Sequence, residues 1–121
     1  MPKIMVVDDK KGIRTLLKEV LQEEGYYVEE AENGWELLES VRKIHYDLIL
    51  LDVKIPGLNG VDALKKMRGE DITTGVIIMT AYEEMNTHKD LKNLGVIQLF
   101  SKPFDIQEVL RKVNQYMAVR E

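Results

Sequence analysis

Three aspartates, a threonine and a lysine stand at or near the ends of apolar runs, where their side chains can do chemistry together. Asp8 and Asp9 follow the run 4–7, Asp52 follows 48–51, Thr80 follows 76–79, and Lys102 closely follows 96–100. Three carboxylates that close repel one another, and a hard cation such as Mg²⁺ relieves this because it prefers oxygen ligands. A carboxylate can also act as a nucleophile and form an acyl phosphate. A lysine ammonium and a hydroxyl could then neutralise charge on the phosphoryl oxygens.

The elements that must position these residues are visible as alternating patterns. Runs 4–7, 48–51 and 76–79 lack strict polar alternation, which indicates strands buried on both faces. The run 96–100 and a weaker run at 26–28 complete five predicted strands. Apolar stripes at three- and four-residue steps predict helices within 13–21, 37–41, 61–67, 85–94 and 106–117. The stripe at 85–94 is thin, so we expect that helix to be the least firmly packed.

Strands that alternate with helices predict an α/β fold, a parallel sheet with helices on both faces. Gly25 and Gly95 are expected to end helices, and Asp105 is expected to begin the last one. In such a sheet, ligands bind outside the carboxyl ends of the strands. The candidate residues should therefore gather at one edge.

Composition excludes several classes of protein. The chain has 121 residues, a formal net charge of −4, 45% hydrophobic and 31% charged residues, which suits one globular domain. The absence of cysteine excludes disulfides and thiolate metal sites. No apolar run approaches the roughly 20 residues of a membrane span, and the acidic balance argues against direct nucleic-acid binding. We expect a cytoplasmic protein with no membrane and no nucleic-acid partner.

Each candidate also has an ordinary structural explanation. Asp8 and Asp9 can complement a helix dipole, Asp52 can cap a turn, Thr80 can simply end a strand, and Lys102 can be a surface residue. All of these explanations would have to hold at the same sheet edge. That coincidence is improbable, so the functional interpretation is preferred.

Four segments resemble the receiver domain of response regulators, and the resemblance spans essentially the whole chain. In order, they are Ile4-Met5-Val6-Val7-Asp8-Asp9, Asp47-Leu48-Ile49-Leu50-Leu51-Asp52-Val53-Lys54-Ile55-Pro56-Gly57, Val76-Ile77-Ile78-Met79-Thr80-Ala81 and Lys102-Pro103-Phe104. Each segment is weak evidence, but four in this order and spacing are specific. The resemblance implies a flavodoxin-like sheet of five parallel strands, order 2-1-3-4-5, with five helices on both faces. We expect a single receiver domain over residues 1–121.

The resemblance also implies a role for each residue of the site, and a cis bond between Lys102 and Pro103. The implied roles are phosphoacceptor for Asp52, metal ligands for Asp8, Asp9, Asp52 and the backbone carbonyl of Lys54, and phosphoryl-binding residues for Thr80, Ala81 and Lys102. The implied cofactor is Mg²⁺, for which Mn²⁺ is expected to substitute.

Within the family, the chain looks most like the single-domain receivers of sporulation phosphorelays. Such a protein takes a phosphoryl group from a sensor histidine kinase and passes it to a histidine phosphotransferase. The residues implied to dock these partners are Gly12, Ile13, Leu16, Lys54, Tyr82, Pro103 and Phe104. For Ile13 and Leu16, core packing is an open alternative. We expect a monomer that acts as a phosphoacceptor in signalling and not as an enzyme.

One position departs from the family pattern. Many receivers carry an aromatic residue three positions before the lysine, where this chain has Leu99. In the family, that ring turns inward as the threonine moves toward the phosphoryl group. A leucine there favours a relay protein over a receiver that drives a conformational output.

Three other functions would use part or all of the same residue pattern. A receiver from a longer DNA-binding regulator would use the same residues. A magnesium phosphatase with an aspartyl nucleophile usually has a second carboxylate two residues later, where this chain has Lys54. A binding module without phosphoryl chemistry would not need the complete set of acceptor residues.

Overall fold

The computed structural model describes residues 1–81 and 91–120. Their regular elements, in chain order, are β1 (Lys3–Val7), α1 (Lys11–Glu23), β2 (Tyr27–Ala31), α2 (Gly34–Lys43), β3 (Leu48–Leu51), α3 (Gly60–Gly69), β4 (Gly75–Ala81), a 3₁₀ helix (Leu91–Leu94), β5 (Val96–Lys102) and α4 (Ile106–Arg120). The five strands form one parallel sheet in the order β2-β1-β3-β4-β5. This confirms the predicted fold class and strand order.

Alternate residues of the central strands feed two separate cores, because successive side chains of a strand point to opposite faces. In β3, Leu48 and Leu50 pack with α1 and α4, whereas Ile49 and Leu51 pack with α2, α3 and the 3₁₀ helix. All four side chains are fully buried. The uninterrupted apolar runs in the sequence therefore reflect helices on both faces of the sheet.

Short polar residues fix where the helices begin. Asn33 and Asn59 each accept a hydrogen bond through Oδ1, from the backbone N–H of Glu36 and Asp62 respectively. Asp105 accepts one from Gln107 N–H at 2.8 Å, so it caps α4 as predicted.

The expected fourth helix is the main difference from the predicted element pattern. Most of it falls on residues 82–90, which lie outside the described residues, so the described part of the chain has four α-helices where five helices were expected. The described end of that stretch, Leu91–Leu94, is a 3₁₀ helix with Leu91 buried. Gly95 ends it with φ of +74°, a conformation that favours glycine. No helix in the described ranges is long and apolar enough to cross a membrane.

Candidate functional site at the carboxyl edge of the sheet

The register of the central strands brings Asp8 and Asp52 side by side. Val7 pairs with Leu51 in the parallel ladder, so the next residue of each strand lies at the same level. The backbone N–H of Asp52 still donates to the carbonyl of Val7 at 2.9 Å, which extends the ladder to the site. Gly60 makes room for α3 here, because a Cβ atom would lie 2.6 Å from the Asp52 carbonyl oxygen.

Lys102 connects the two buried carboxylates. Its Nζ lies 2.8 Å from Asp8 Oδ2 and 3.0 Å from Asp52 Oδ2. Asp8 is fully buried and Asp52 is 3% exposed, so both charges depend on this ammonium for compensation. The Lys102-Pro103 bond is cis, as the resemblance implied.

Both carboxylates also bond to the backbone that follows them. Asp8 Oδ1 accepts a hydrogen bond from Lys10 N–H at 2.9 Å, and Asp52 Oδ1 accepts one from Lys54 N–H at 3.3 Å. Asp52 therefore does cap the turn that follows it, but this cap occupies only one oxygen of the carboxylate. The other oxygen faces Lys102.

Asp9 completes a cluster of three carboxylates. One oxygen from each of Asp8, Asp9 and Asp52 lies within 4.8 Å of the others, close enough to share a metal ion. Asp9 is exposed and contacts Lys10 Nζ at 3.4 Å. With all three carboxylates ionised against one Lys102 ammonium, the four side chains carry a net charge of −2. The oxygen-only donor set and this charge fit a divalent cation such as Mg²⁺.

Burial and charge pull the pKa values at the site in opposing directions. Burial raises the pKa of Asp52 above its ordinary value, although the Lys102 ammonium opposes the rise. Burial acts to lower the pKa of Lys102, but its hydrogen bonds to Asp8 and Asp52 outweigh this and the pKa lies above the usual range. Lys102 is thus held as a cation, while Asp52 is a carboxylate that is poorly compensated.

Thr80 brings a buried hydroxyl to the site. It lies near the end of β4, is 1% exposed, and its Oγ1 has no hydrogen-bond partner in the described part of the chain. A buried polar atom left unpaired is costly, so this hydroxyl is available to bond a ligand at the site. Ala81 follows it and pairs with Lys102 in the β4–β5 register.

The predicted docking residues divide into exposed and half-buried ones. Leu16 is 44% exposed, so the core-packing explanation is wrong for it, whereas Ile13 packs partly against the α1–α4 core. Phe104 likewise packs against that core, and Gly12, Lys54 and Pro103 are exposed. Tyr82 lies outside the described residues. Leu99 packs partly against the core on the α2–α3 side of the sheet.

Sequence reasoning assigned no role to Arg14, although it lies at the edge of the site. Its Nη1 donates to the carbonyl oxygen of Asp8 at 2.8 Å, and its Nε donates to Glu30 Oε1 at 3.1 Å. An arginine among exposed charges of an amphipathic helix gives no signal of such a contact. The link between Arg14 and Asp8 depends on how α1 lies beside β2.

Comparison with known proteins agrees with this geometry. The family model for the response regulator receiver domain matches residues 4–114. The chain belongs to this family. It is 47% identical to sporulation initiation phosphotransferase F of Bacillus subtilis over 98% of this chain and 95% of that protein. This supports both the resemblance to receivers and the narrower likeness to sporulation relay proteins.

Other relatives are longer regulators or solved receivers. The chain is 36% identical to regulatory protein AtoC of Escherichia coli, but it spans only 23% of that protein. It spans 49% and 46% of two Bacillus subtilis transcriptional regulators, YkoG and ResD. The receiver domain of the Francisella response regulator 1452 matches with a TM-score of 0.91, at 31% identity and full coverage of both chains. The Thermotoga maritima response regulator TrrA, solved in complex with Mg(2+)-BeF, matches with a TM-score of 0.83, at 38% identity, and the match covers 96% of this chain and 99% of that one.

Proposed function

We propose that this receiver is an intermediate of a phosphorelay, in which Asp52 accepts a phosphoryl group from a sensor kinase phosphohistidine and passes it to a histidine phosphotransferase. The observation that carries the proposal is the Lys102 ammonium held between Asp8 and Asp52, at the same sheet edge as the buried Thr80 hydroxyl, which has no hydrogen-bond partner among the described residues. A sporulation-type pathway follows from the likeness to the Bacillus subtilis protein.

Asp8, Asp9, Asp52 and the carbonyl of Lys54 would hold Mg²⁺, with Mn²⁺ as a substitute. When bound, the metal supplies positive charge to the phosphoryl oxygens. Lys102 and the Thr80 hydroxyl are suited to bond the other phosphoryl oxygens. The small side chain of Ala81 leaves room for the phosphodonor.

The transfer is a pair of displacements at phosphorus. A carboxylate oxygen of Asp52 attacks the phosphohistidine, a P–O bond forms, the P–N bond breaks, and the donor imidazole leaves with the electron pair. In the second half, a histidine nitrogen of the phosphotransferase attacks the same phosphorus. The P–O bond then breaks and the Asp52 carboxylate is restored.

The partners are proposed to dock on the exposed side of α1 and the loop after β5. Leu16 is a half-exposed leucine on a helix whose Leu17 is fully buried, so it is available to a partner. Gly12, Pro103 and the half-buried Phe104 would extend this surface. The protein is proposed to act as a monomeric single domain in the cytoplasm, with no direct contact to nucleic acid.

A second function is favoured by the longer relatives, of which this chain spans about half or less. In that case the same Asp52 chemistry would control a DNA-binding output. Leu99 favours the relay, because its aliphatic side chain already packs partly against the core and provides no ring to move.

The test is a relay reconstituted from a labelled kinase, this protein and a histidine phosphotransferase. Wild type should take up the label in the presence of Mg²⁺ and lose it when the phosphotransferase is added, whereas Asp52→Ala should take up none. Label that reaches Asp52 but never leaves for any phosphotransferase would contradict the relay. DNA binding induced by phosphorylation of the native protein would favour the second function.

A further inference from the structure

Arg14 joins three parts of the molecule beside the carboxylate cluster. From α1, its Nε donates to Glu30 Oε1 at 3.1 Å and its Nη2 lies 3.8 Å from Glu32 Oε2. Its Nη1 donates to the backbone carbonyl of Asp8 at 2.8 Å. The side chain is only 12% exposed, although it belongs to a solvent-facing part of the helix.

The contact with Arg14 completes a set of hydrogen bonds that engages every polar atom of Asp8. Its N–H donates to the Ala31 carbonyl at 3.2 Å, and its two carboxylate oxygens accept from Lys10 N–H and Lys102 Nζ. The carbonyl is held by Arg14. Asp8 is therefore rigidly placed before any metal binds.

Asp9 has no comparable support of its own. In the described part of the chain, its side chain makes one polar contact, an exposed one with Lys10 Nζ at 3.4 Å. However, the carbonyl of Asp8 and the N–H of Asp9 belong to the same planar peptide unit. A hydrogen bond that fixes the Asp8 carbonyl therefore also fixes the orientation of the peptide unit that leads into Asp9.

We propose that Arg14 is a positioning residue for the divalent-cation site, because its guanidinium fixes the Asp8–Asp9 peptide plane and so directs the Asp9 carboxylate toward the metal. The inference rests on the proposed function, in which these carboxylates hold Mg²⁺. Glu30 and Glu32 anchor the guanidinium so that its third donor group meets the carbonyl. The planar fork of arginine suits this geometry, and the single ammonium of lysine does not.

A positioning role and simple charge repulsion predict opposite effects of Arg14 removal on Mg²⁺ affinity. Arg14 is a cation beside the cluster, so charge repulsion alone would weaken Mg²⁺ binding, and removal of Arg14 would strengthen it. If Arg14 positions Asp9, its removal weakens Mg²⁺ binding instead. Groups that orient a metal ligand typically change metal affinity by about tenfold to hundredfold.

Lys18 provides a matched control. It lies one turn further along α1 and contacts the same carboxylate, with Nζ 3.4 Å from Glu30 Oε2. Among the described residues it makes no polar contact with Asp8 or Asp9. Lys18→Met removes the same charge from the same helix. It should leave Mg²⁺ affinity unchanged or slightly raise it.

The experiment is calorimetric titration of the unphosphorylated protein with Mg²⁺ alone. Arg14→Met should bind at least about tenfold more weakly than wild type, and Arg14→Lys should not restore the affinity. Thermal unfolding without Mg²⁺ checks that each variant is folded. In an Asp9→Asn background, Arg14→Met should cause little further loss, because the positioned ligand is already gone.

Several results would overturn the inference. Arg14→Met or Arg14→Lys that binds as tightly as wild type would show that the guanidinium does not position a ligand. An equal loss with and without Asp9→Asn would mean that Arg14 acts on something other than Asp9. If wild type itself binds no Mg²⁺, the proposed function fails at its metal site, and the inference fails with it.

Discussion

Replacement of Lys102 with methionine tests how the buried carboxylates are compensated. The Lys102 side chain is 17% exposed, and its ammonium lies within 3.0 Å of two carboxylates that are nearly or fully buried. Removing one partner of a buried pair costs about 3–5 kcal/mol. We expect about 3 kcal/mol, the low end, because Asp52 can take up a proton in the variant.

The pH dependence of this loss has a definite sign. Burial already raises the pKa of Asp52, and the loss of Lys102 removes the interactions that oppose the rise. A carboxyl group whose pKa is higher in the folded state destabilises the fold above that pKa, and the penalty disappears as the pH falls through it. The difference between Lys102→Met and wild type should therefore be largest at about pH 8 and shrink toward about pH 5.

The assay is urea unfolding in EDTA at both pH values. Lys10→Met is the control, because this lysine contacts Asp9 but its side chain is 61% exposed. It should cost less than about 0.5 kcal/mol. Equal losses for the two variants, or a loss at Lys102 that does not change with pH, would refute the reasoning.

Three further predictions concern Asp52, Arg68 and Leu16. Asp52→Asn should raise the free energy of unfolding without Mg²⁺, because it removes a charge that burial disfavours; urea unfolding that shows a loss would contradict this. Arg68 donates to the carbonyl oxygens of Leu94, Ile72 and Thr74 at 2.7–2.8 Å, so Arg68→Met should lower the free energy of unfolding by about 2–4 kcal/mol, and by more than Arg42→Met, whose salt bridge to Glu70 is exposed. Leu16→Ala should slow uptake of phosphate from a kinase severalfold and lower stability by less than about 1 kcal/mol; the buried neighbour Leu17→Ala should cost about 3 kcal/mol. Unchanged uptake in a folded Leu16→Ala would argue against docking there.

The sequence predicted the sheet well because the signal is local. A central strand such as Leu48–Leu51 is a short apolar run, and its burial on both faces follows from the helical patterns on either side. Asp8, Asp52 and Lys102 could then be assigned to one edge because each lies at the carboxyl end of a parallel strand. Their observed contacts agree with that assignment.

The sequence could not give contacts that depend on how whole elements lie against each other. Lys102 and Asp8 are 94 residues apart, and that one ammonium serves both buried carboxylates is a property of the assembled edge. Arg14 and Arg68 had no pattern to distinguish them from surface arginines. Leu16 belonged to the apolar stripe of α1, but the stripe is wider than the core that α1 covers, so it remains half-exposed.

The most direct test of the account is to locate the phosphoryl group itself. Incubate the protein with a small-molecule phosphodonor and Mg²⁺, reduce the acyl phosphate with borohydride, and map the modified residue by peptide mass spectrometry. Modification is expected at Asp52, should require the metal, and should be absent in Asp52→Asn. Modification at another residue, or phosphorylation that persists in Asp52→Asn, would contradict it.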